Sequence, residues 1–343
     1  MNKVRVLVVD DSFVIRDVLK QSLELDPDIE VVGAACDAFE ARDMIIKLRP
    51  DVMTLDIEMP RMNGIDFLRK LMPQYPMPVI VVSSLDDRVF DALEAGAVDF
   101  IHKPGGLTRT QLVEHMALEL NEKIKVANRV KVTGRKRREP TVVISDGVTG
   151  RPDIEVIAIG ASTGGTEALY DILSKFNTDI PGVVVVQHMP PGFTGMFAER
   201  MNNQCQITVK EAKDGDRVKQ GQVLIAPGDK HMRLTKSDEG YHVVCKFGEK
   251  VSGHCPSVDV LFNSVAEVVK EKAVGVILTG MGTDGATGLM EMHRMGAVTI
   301  GQDEVSSVVY GMPKVAFDMG AVTYQVGLSQ MAKKIYSVLN NKR

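Results

Sequence analysis

Apolar and polar positions fall into repeating blocks over the first 125 residues. Short apolar runs stand at 4–9 (VRVLVV), 29–35 (IEVVGAA), 51–55 (DVMTL), 79–83 (VIVVS) and 97–102 (AVDFIH), and each is followed by apolar residues at helical spacing. Five strands alternating with helices predict a parallel sheet covered on both faces. Phe13, Val14, Val18, Leu19 and Leu23 form one helical stripe and Met44, Ile45 and Leu48 another, and both are expected in the core. The pattern resumes near Asp153, with strand-like runs at 156–159, 183–186, 223–226, 274–278 and 298–300 and helical patterns at 166–176 and 258–270. Hairpin-like segments at Ala226–Asp229 and Ser237–Gly240 interrupt it, so the second half is expected to be doubly wound α/β with an antiparallel insertion.

Between the halves the alternation breaks down. From Lys123 to Arg138 lysine and arginine crowd the chain, and Pro140, Gly147, Gly150 and Pro152 punctuate the residues after them. No aromatic residue interleaves Arg135–Arg138 for base stacking, so the segment reads as a hydrated tether rather than a nucleic-acid tail. The resulting division is 1–125, a flexible basic linker over 126–152, and 153–343.

Composition narrows the class. With 343 residues, 44% hydrophobic and 25% charged, the chain is long enough for two domains with cores. A net charge of −4 argues against a general nucleic-acid binder. Cys36, Cys205, Cys245 and Cys255 form no C-x-x-C pair, which disfavours a zinc site or disulfide framework and makes a reducing cytoplasm the default. The N-terminus turns acidic too soon for a signal peptide, and no apolar run is long enough to span a membrane, so a soluble protein without membrane insertion is expected.

The chemistry lies at strand ends. In an open parallel sheet, ligands bind beyond the carboxyl ends of the strands. In the first domain Asp10 and Asp11 follow the first strand, Asp56 the third, Ser83 ends the fourth and Lys103 follows the fifth. Three carboxylates at one edge repel, each pair by roughly 4 kcal/mol at about 4 Å and an effective dielectric near 20. Such a cluster suits Mg²⁺ with open water positions, and the lysine suits an incoming phosphoryl oxygen. Capping explains Asp11-Ser12 well and Asp56 poorly, because Ile57-Glu58-Met59-Pro60 intervenes before any helix.

In the second domain Val156–Gly165 runs VIAIGASTGG into a helical pattern, which puts Ser162 on a G-x-S-x-G elbow. A glycine turn that merely joins strand to helix, or cradles a phosphate, is the alternative. His188 follows the next strand (VVVVQH), and Asp284 lies on a glycine-rich loop after a later one (VILTGMGTDG). A serine hydroxyl needs a base to take its proton, and the base needs a carboxylate to set its tautomer, so these three residue types on one edge are compatible with acyl transfer. Taken singly, His188 could be a core histidine and Asp284 a helix cap. His231, His242 and His254 fall in hairpin or loop surroundings, His102 and His115 belong to the first domain, and His293 reads as surface or packing. A dinucleotide fold is disfavoured, since the second strand ends Gln187-His188 rather than in an acidic residue and the glycines do not fit G-x-G-x-x-G.

The first half, through VLVVDDS, TLDIEMPRMNG, VVSS and Lys103-Pro104, resembles the receiver domain of bacterial response regulators. The resemblance implies a flavodoxin-like five-stranded sheet of order 2-1-3-4-5, Mg²⁺ held by Asp10, Asp11 and Asp56, phosphorylation of Asp56 by a histidine kinase, phosphate sensing by Ser83 and Lys103, and a cis Lys103–Pro104 bond. The second half, through IGASTGG, VVVVQHMPPGFT, LIAPGDKHM, PSVDVLF, VILTGMGTDGATGL and YGMPK, resembles the catalytic domain of the chemotaxis protein-glutamate methylesterases (CheB family). That resemblance implies Ser162 as nucleophile, His188 as general base and then acid, Asp284 as its orienting carboxylate, and Met281 beside the site with its backbone N–H towards the oxyanion.

Two positions depart from the family pattern. Thr166 stands where relatives often have proline, which should be harmless at a helix start, and Cys255 where many have arginine, which puts any contact from that loop in doubt. The implied activity is removal of methyl esters from chemoreceptor glutamates and deamidation of receptor glutamines, gated by phosphorylation and needing no cofactor for hydrolysis. The implied partners are a histidine kinase and methyl-accepting chemoreceptors, with the protein in the cytoplasm and recruited to receptor arrays. A response regulator whose second domain only binds a partner or DNA, and a nucleotide-binding regulator, are the competing classes.

Overall fold

The structure is a computed structural model that describes residues 3–84, 87–130 and 153–340. The chain divides into two compact units, 1–139 and 140–343. In the first, the order is β1 (Val4–Val9), α1 (Phe13–Glu24), β2 (Ile29–Ala35), α2 (Ala38–Leu48), β3 (Val52–Leu55), α3 (Gly64–Leu71), β4 (Val79–Ser83), α4 (Arg88–Glu94), β5 (Asp99–His102) and α5 (Arg109–Ala127). The sheet is parallel throughout, in the order β2-β1-β3-β4-β5. Strands β3 and β4 are buried along their whole length, as uninterrupted apolar runs covered on both faces must be.

Short polar side chains start the helices by accepting N–H groups that the first turn leaves unpaired: Ser12 for α1, Asp37 for α2, Asn63 for α3, and Thr108 with Gln111 in a capping box for α5. The core stripe of α1 is Val18, Leu19 and Leu23, whereas Phe13 and Val14, expected inside, are exposed. They sit on the first turn, beside the carboxyl edge where no strand remains to cover them, and the Arg16 guanidinium lies 5.9 Å from the Phe13 ring centre. Helix α5 runs to Ala127, two residues into the expected tether, and is tied back by Lys123 to Asp99 and by Lys125 to Asp26. The tether from 131 to 152, with its Arg135–Arg138 run, lies outside the described residues.

The second unit contains β6 (Val156–Ala161), α6 (Gly165–Leu173), β7 (Gly182–Gln187), α7 (Phe193–Gln204), β8 (Thr208–Glu211), β9 (Gln222–Ile225), β10 (Lys230–Ser237), β11 (Gly240–Phe247), α8 (Val258–Val268), β12 (Ala273–Ile277), α9 (Ala286–Arg294), β13 (Val298–Gln302), α10 (Met312–Asp318), β14 (Tyr324–Val326) and α11 (Leu328–Asn340). Seven strands form a parallel sheet in the order β14-β13-β12-β6-β7-β9-β8. The chain proceeds from β6 outwards through β7 to one edge and then returns to β12 on the other side of β6, so the strand order reverses between β6 and β12. A crevice opens at such a reversal.

Strands β10 and β11 form the antiparallel insertion, with Ser237 paired to Gly240 at its turn. Met232, Leu234, Val243 and Cys245 on its inner face join Leu261, Phe262 and Val265 of α8 in one core. Of the two hairpin-like segments read in the sequence, Ser237–Gly240 is the turn; Ala226–Asp229 instead carries the chain from the sheet to the insertion. Gly160 allows α8 to approach β6 closely, since a Cβ there would stand 2.2 Å from Val258 Cγ1.

Candidate active site and phosphoacceptor edge

Ser162 immediately follows β6, with Gly164 after it at φ +75°, a left-handed conformation that a residue with a Cβ resists. The turn is held by backbone bonds that continue the sheet beyond its strands: Ser162 N–H donates to Thr279 O (3.0 Å), His188 N–H to Ala161 O (3.1 Å) and Leu278 N–H to Gly160 O (2.9 Å). The ends of β6, β7 and β12 are thereby locked together, and Ser162, His188 and the Asp284 loop come to one edge. Buried Gln187 adds a strap, its Nε2 donating to Ser162 O (2.9 Å) and, more weakly, to His188 O (3.3 Å). The Thr279 hydroxyl donates to Thr163 O (3.0 Å) and accepts from Val309 N–H (2.9 Å), so the elbow is also pinned to the loop before α10.

His188 Nε2 lies 2.8 Å from Asp284 Oδ2, with both side chains almost fully buried. The opposite ring nitrogen, Nδ1, is buried and forms no hydrogen bond, so the Ser162 hydroxyl is not engaged with it here. Catalytic hydrogen bonds are often loose before substrate arrives. A carboxylate on Nε2 fixes the proton there and leaves Nδ1 as the basic atom. The face of the ring is covered by His254, stacked at 3.7 Å between ring centres and 11° from parallel.

Asp284 does not cap its own helix, α9, whose N-cap is Gly285 with no side-chain bond. It accepts instead from the start of α8: Ser257 Oγ–H (2.7 Å) and Asp259 N–H (3.0 Å) on Oδ1, and Val258 N–H (2.7 Å) on Oδ2. Asp259 in turn accepts from Gly288 N–H (2.7 Å) in the first turn of α9. Burial pushes the Asp284 carboxyl up, but the His188 hydrogen bond and charge, the Asp259 N–H and the Ser257 hydroxyl outweigh it and hold the group below the usual range. Asp259 goes the other way, raised first by burial and further by the Asp284 charge beside it, against the Gly288 N–H that lowers it.

Sequence reading missed Gln187, His231, His254 and Ser257 as parts of this site. All lie in segments already singled out, but only tertiary contacts reveal what they touch. Met281 stands half-buried on the β12–α9 loop, where Gly280 O accepts from Gly311 N–H and Met312 N–H. Cys255 is half-buried, its thiol pushed up by burial, and it precedes Pro256 through a cis bond. Thr166 is buried at the second position of α6.

At the edge of the first unit, Asp10, Asp11 and Asp56 each present a carboxylate oxygen within 4.8 Å of the others. Asp10 and Asp56 are buried, and Lys103 Nζ bridges them, at 2.6 Å from Asp10 Oδ2 and 3.0 Å from Asp56 Oδ1. Burial pushes the Asp56 carboxyl up against the pull of Lys103, as expected for an anion cluster with too little positive charge. The all-oxygen donor set therefore fits a hard divalent cation such as Mg²⁺. Ser83 ends β4, buried, and its carbonyl accepts from Lys103 N–H (2.8 Å), so all five expected residues converge. The Lys103–Pro104 bond is not cis; among the described residues only Cys255–Pro256 is, and trans is the preferred form of an X-Pro bond unless its surroundings select otherwise.

Comparison with known proteins places each unit in a family. Residues 157–335 match the CheB methylesterase family and residues 6–117 the response regulator receiver domain. A protein-glutamate methylesterase/protein-glutamine glutaminase of Syntrophomonas wolfei is 55% identical over 340 residues, covering 99% of each chain. One from Salmonella typhimurium is 47% identical over 344 residues, covering 99% of this chain and 98% of its own. The crystal structure of the Thermotoga maritima CheB methylesterase catalytic domain superposes with a TM-score of 0.53 at 37% identity, covering 54% of this chain and 98% of that one. Matching models on both units, and relatives aligned over nearly the full length, make this chain a member of the CheB methylesterase family with a receiver domain ahead of its catalytic domain.

Proposed function

We propose that this chain is a phosphorylation-regulated protein-glutamate methylesterase and protein-glutamine glutaminase of chemotaxis, with Ser162 as its nucleophile. Ser162 Oγ attacks the ester carbonyl of a methylated receptor glutamate while His188 Nδ1 takes its proton. Asp284 steadies the imidazolium through Nε2, and the Met281 backbone N–H is directed to the oxyanion. As the tetrahedral intermediate collapses, His188 returns the proton to the methoxy oxygen and methanol leaves. Water, deprotonated by the same nitrogen, then cleaves the acyl-enzyme to give the glutamate carboxylate and restore Ser162. With a glutamine side chain the leaving group is ammonia and the rest of the cycle is unchanged.

One observation carries this reading: a buried histidine beside the elbow, with one nitrogen committed to a charged carboxylate and the other left open. Replacing Ser162 with alanine is expected to lower turnover by about 10⁶ if the three groups act as a unit. Methanol released from methylated receptor is the readout, and release at an undiminished rate would remove Ser162 from the mechanism.

In the receiver, residues 1–125 in this reading, Asp56 accepts a phosphoryl group from a histidine kinase. Asp10, Asp11 and Asp56 would hold Mg²⁺, which when bound offsets the charge on the phosphoryl oxygens. Ser83 and Lys103 then bond to the new oxygens; for Lys103 this means leaving Asp10. The tether follows α5, so its first two expected residues, 126 and 127, belong to the receiver's last helix, and the catalytic domain is 153–343. The protein works in the cytoplasm on membrane-embedded receptors, and no helix among the described residues is long and apolar enough to cross a membrane itself.

A further inference from the structure

Asp284 has more donors than its partnership with His188 requires, and they come from outside its own loop. Besides His188, its two oxygens accept the Ser257 hydroxyl and the Val258 and Asp259 N–H groups. The position of Oδ2, and hence of the His188 ring, is therefore set by where α8 begins. Ser257 is fully buried and makes three bonds at that point: its hydroxyl gives its one proton to Asp284, accepts more weakly from Val260 N–H (3.4 Å), and its own N–H donates to His231 Nδ1 (3.2 Å). An ordinary N-cap serine needs only the second of these.

His231 extends the connection into the hairpin. It stands on β10, buried, and because Nδ1 accepts from Ser257, the ring proton is on Nε2, which donates to Glu249 O (2.8 Å) just beyond β11. Both nitrogens are matched by a neutral imidazole of one tautomer. The hydrolytic steps give this ring no work. A continuous path nevertheless runs from the Glu249 carbonyl through His231, Ser257 and Asp284 to His188.

We propose that Ser257 and His231 are positioning residues for Asp284, through which the β10–β11 hairpin orients the acid–base pair. The proposal rests on the reading of Ser162, His188 and Asp284 given above. A hydroxyl aimed at a buried carboxylate both holds its rotamer and keeps it charged. Losing it lets the carboxylate turn towards its remaining donors and away from Nε2.

A double-mutant cycle in the full-length chain tests this, with methanol release from methylated receptor measured in the presence of a small-molecule phosphodonor. Ser257→Ala is expected to lower kcat by about 10²-fold with KM held to within about twofold, since misplacement of a reacting pair acts on turnover rather than binding. Ser257→Thr, which restores a hydroxyl, should recover most of the loss. His231→Leu should lower kcat by about tenfold, and His231→Gln, which keeps an acceptor and a donor, by less.

In an Asp284→Ala background, itself about 10⁴-fold down, neither Ser257→Ala nor His231→Leu should cost more than about twofold further. The far-downfield proton resonance of His188 Nε2–H should move upfield in Ser257→Ala, a readout independent of turnover. Equal losses in the two backgrounds, or an unmoved resonance, would overturn the positioning role while leaving the triad reading intact. An Asp284→Ala chain that kept its kcat would overturn both.

Discussion

A carboxylate taken out of water stays charged only where donors outweigh the loss of solvent, and the two key carboxylates of this chain meet that condition differently. Asp284 has four donors and is held below the ordinary range; Asp56 has Lys103 as its main counter-charge and is pushed above it. The first arrangement is complete and suits a fixed supporting role. The second leaves room for a cation and a phosphoryl group. Burial acts alike on the thiols, raising Cys205 to about 11 and Cys245 to about 12. Exposed Cys36 is also raised, by its hydrogen bond to Glu40. At pH 8 a thiol-alkylating reagent should therefore label exposed Cys36 first, while Cys205 and Cys245 react only in denaturant; mass spectrometry after timed quenching would read the order. The folded chain holds these two protons more tightly than the unfolded one. Their contribution to stability is thus full below the ordinary thiol value of 9.0 and is lost as pH rises through about 11 at Cys205, which urea midpoints at pH 8 and pH 11 would detect.

At the scale of elements, the site is made by strand ends and by two helix starts that exchange carboxylates. Asp284 answers the unpaired N–H groups of α8, while Asp259, from α8, answers Gly288 N–H in α9. A capping role for Asp284 was legible in the sequence, but for the wrong helix, because spacing along the chain says nothing about which helix start lies across the loop. The strand runs and the elbow were legible because a buried parallel strand must be apolar throughout and the turn after β6 requires glycine. Strands β8 and β14 were not: each is short and partly exposed at a sheet edge, and without a buried face no apolar run marks it. The elbow gives a direct test. Alanine at Gly164 would take φ +75° and put its Cβ 2.6 Å from the Val308 side chain, so Gly164→Ala should cost about 1–3 kcal/mol. Calorimetry should then register a fall of roughly 2–4 °C in the catalytic unit's Tm per kcal/mol, and an unchanged Tm would mean the turn tolerates a side chain.

For the whole molecule, a receiver and a methylesterase domain on one chain make phosphorylation the regulator of hydrolysis, which in the proposed mechanism couples Asp56 to Ser162. Asp56→Asn should abolish stimulation by a phosphodonor and leave the unstimulated rate of methanol release intact. If the unphosphorylated receiver restrains the enzyme, a chain beginning at Pro152 should release methanol faster than the unphosphorylated full-length protein. A relative's catalytic domain has been crystallised alone, so the comparison is practicable. Equal rates would point to activation by the phosphorylated receiver rather than relief of restraint.

The sequence by itself determined the two α/β units, the edge of each sheet where the candidate residues gather, and the residue types available there. These depend on local periodicity, and in a parallel sheet strand ends must lie on one side. Only the tertiary structure decided which nitrogen of His188 is left open, which helix holds Asp284, and that the hairpin reaches the site through His231 and Ser257. Those facts are distances between residues far apart in the chain, and no pattern along the chain encodes them. The elbow at Ser162 was readable before folding was considered; the framework that holds His188 against Asp284 was not.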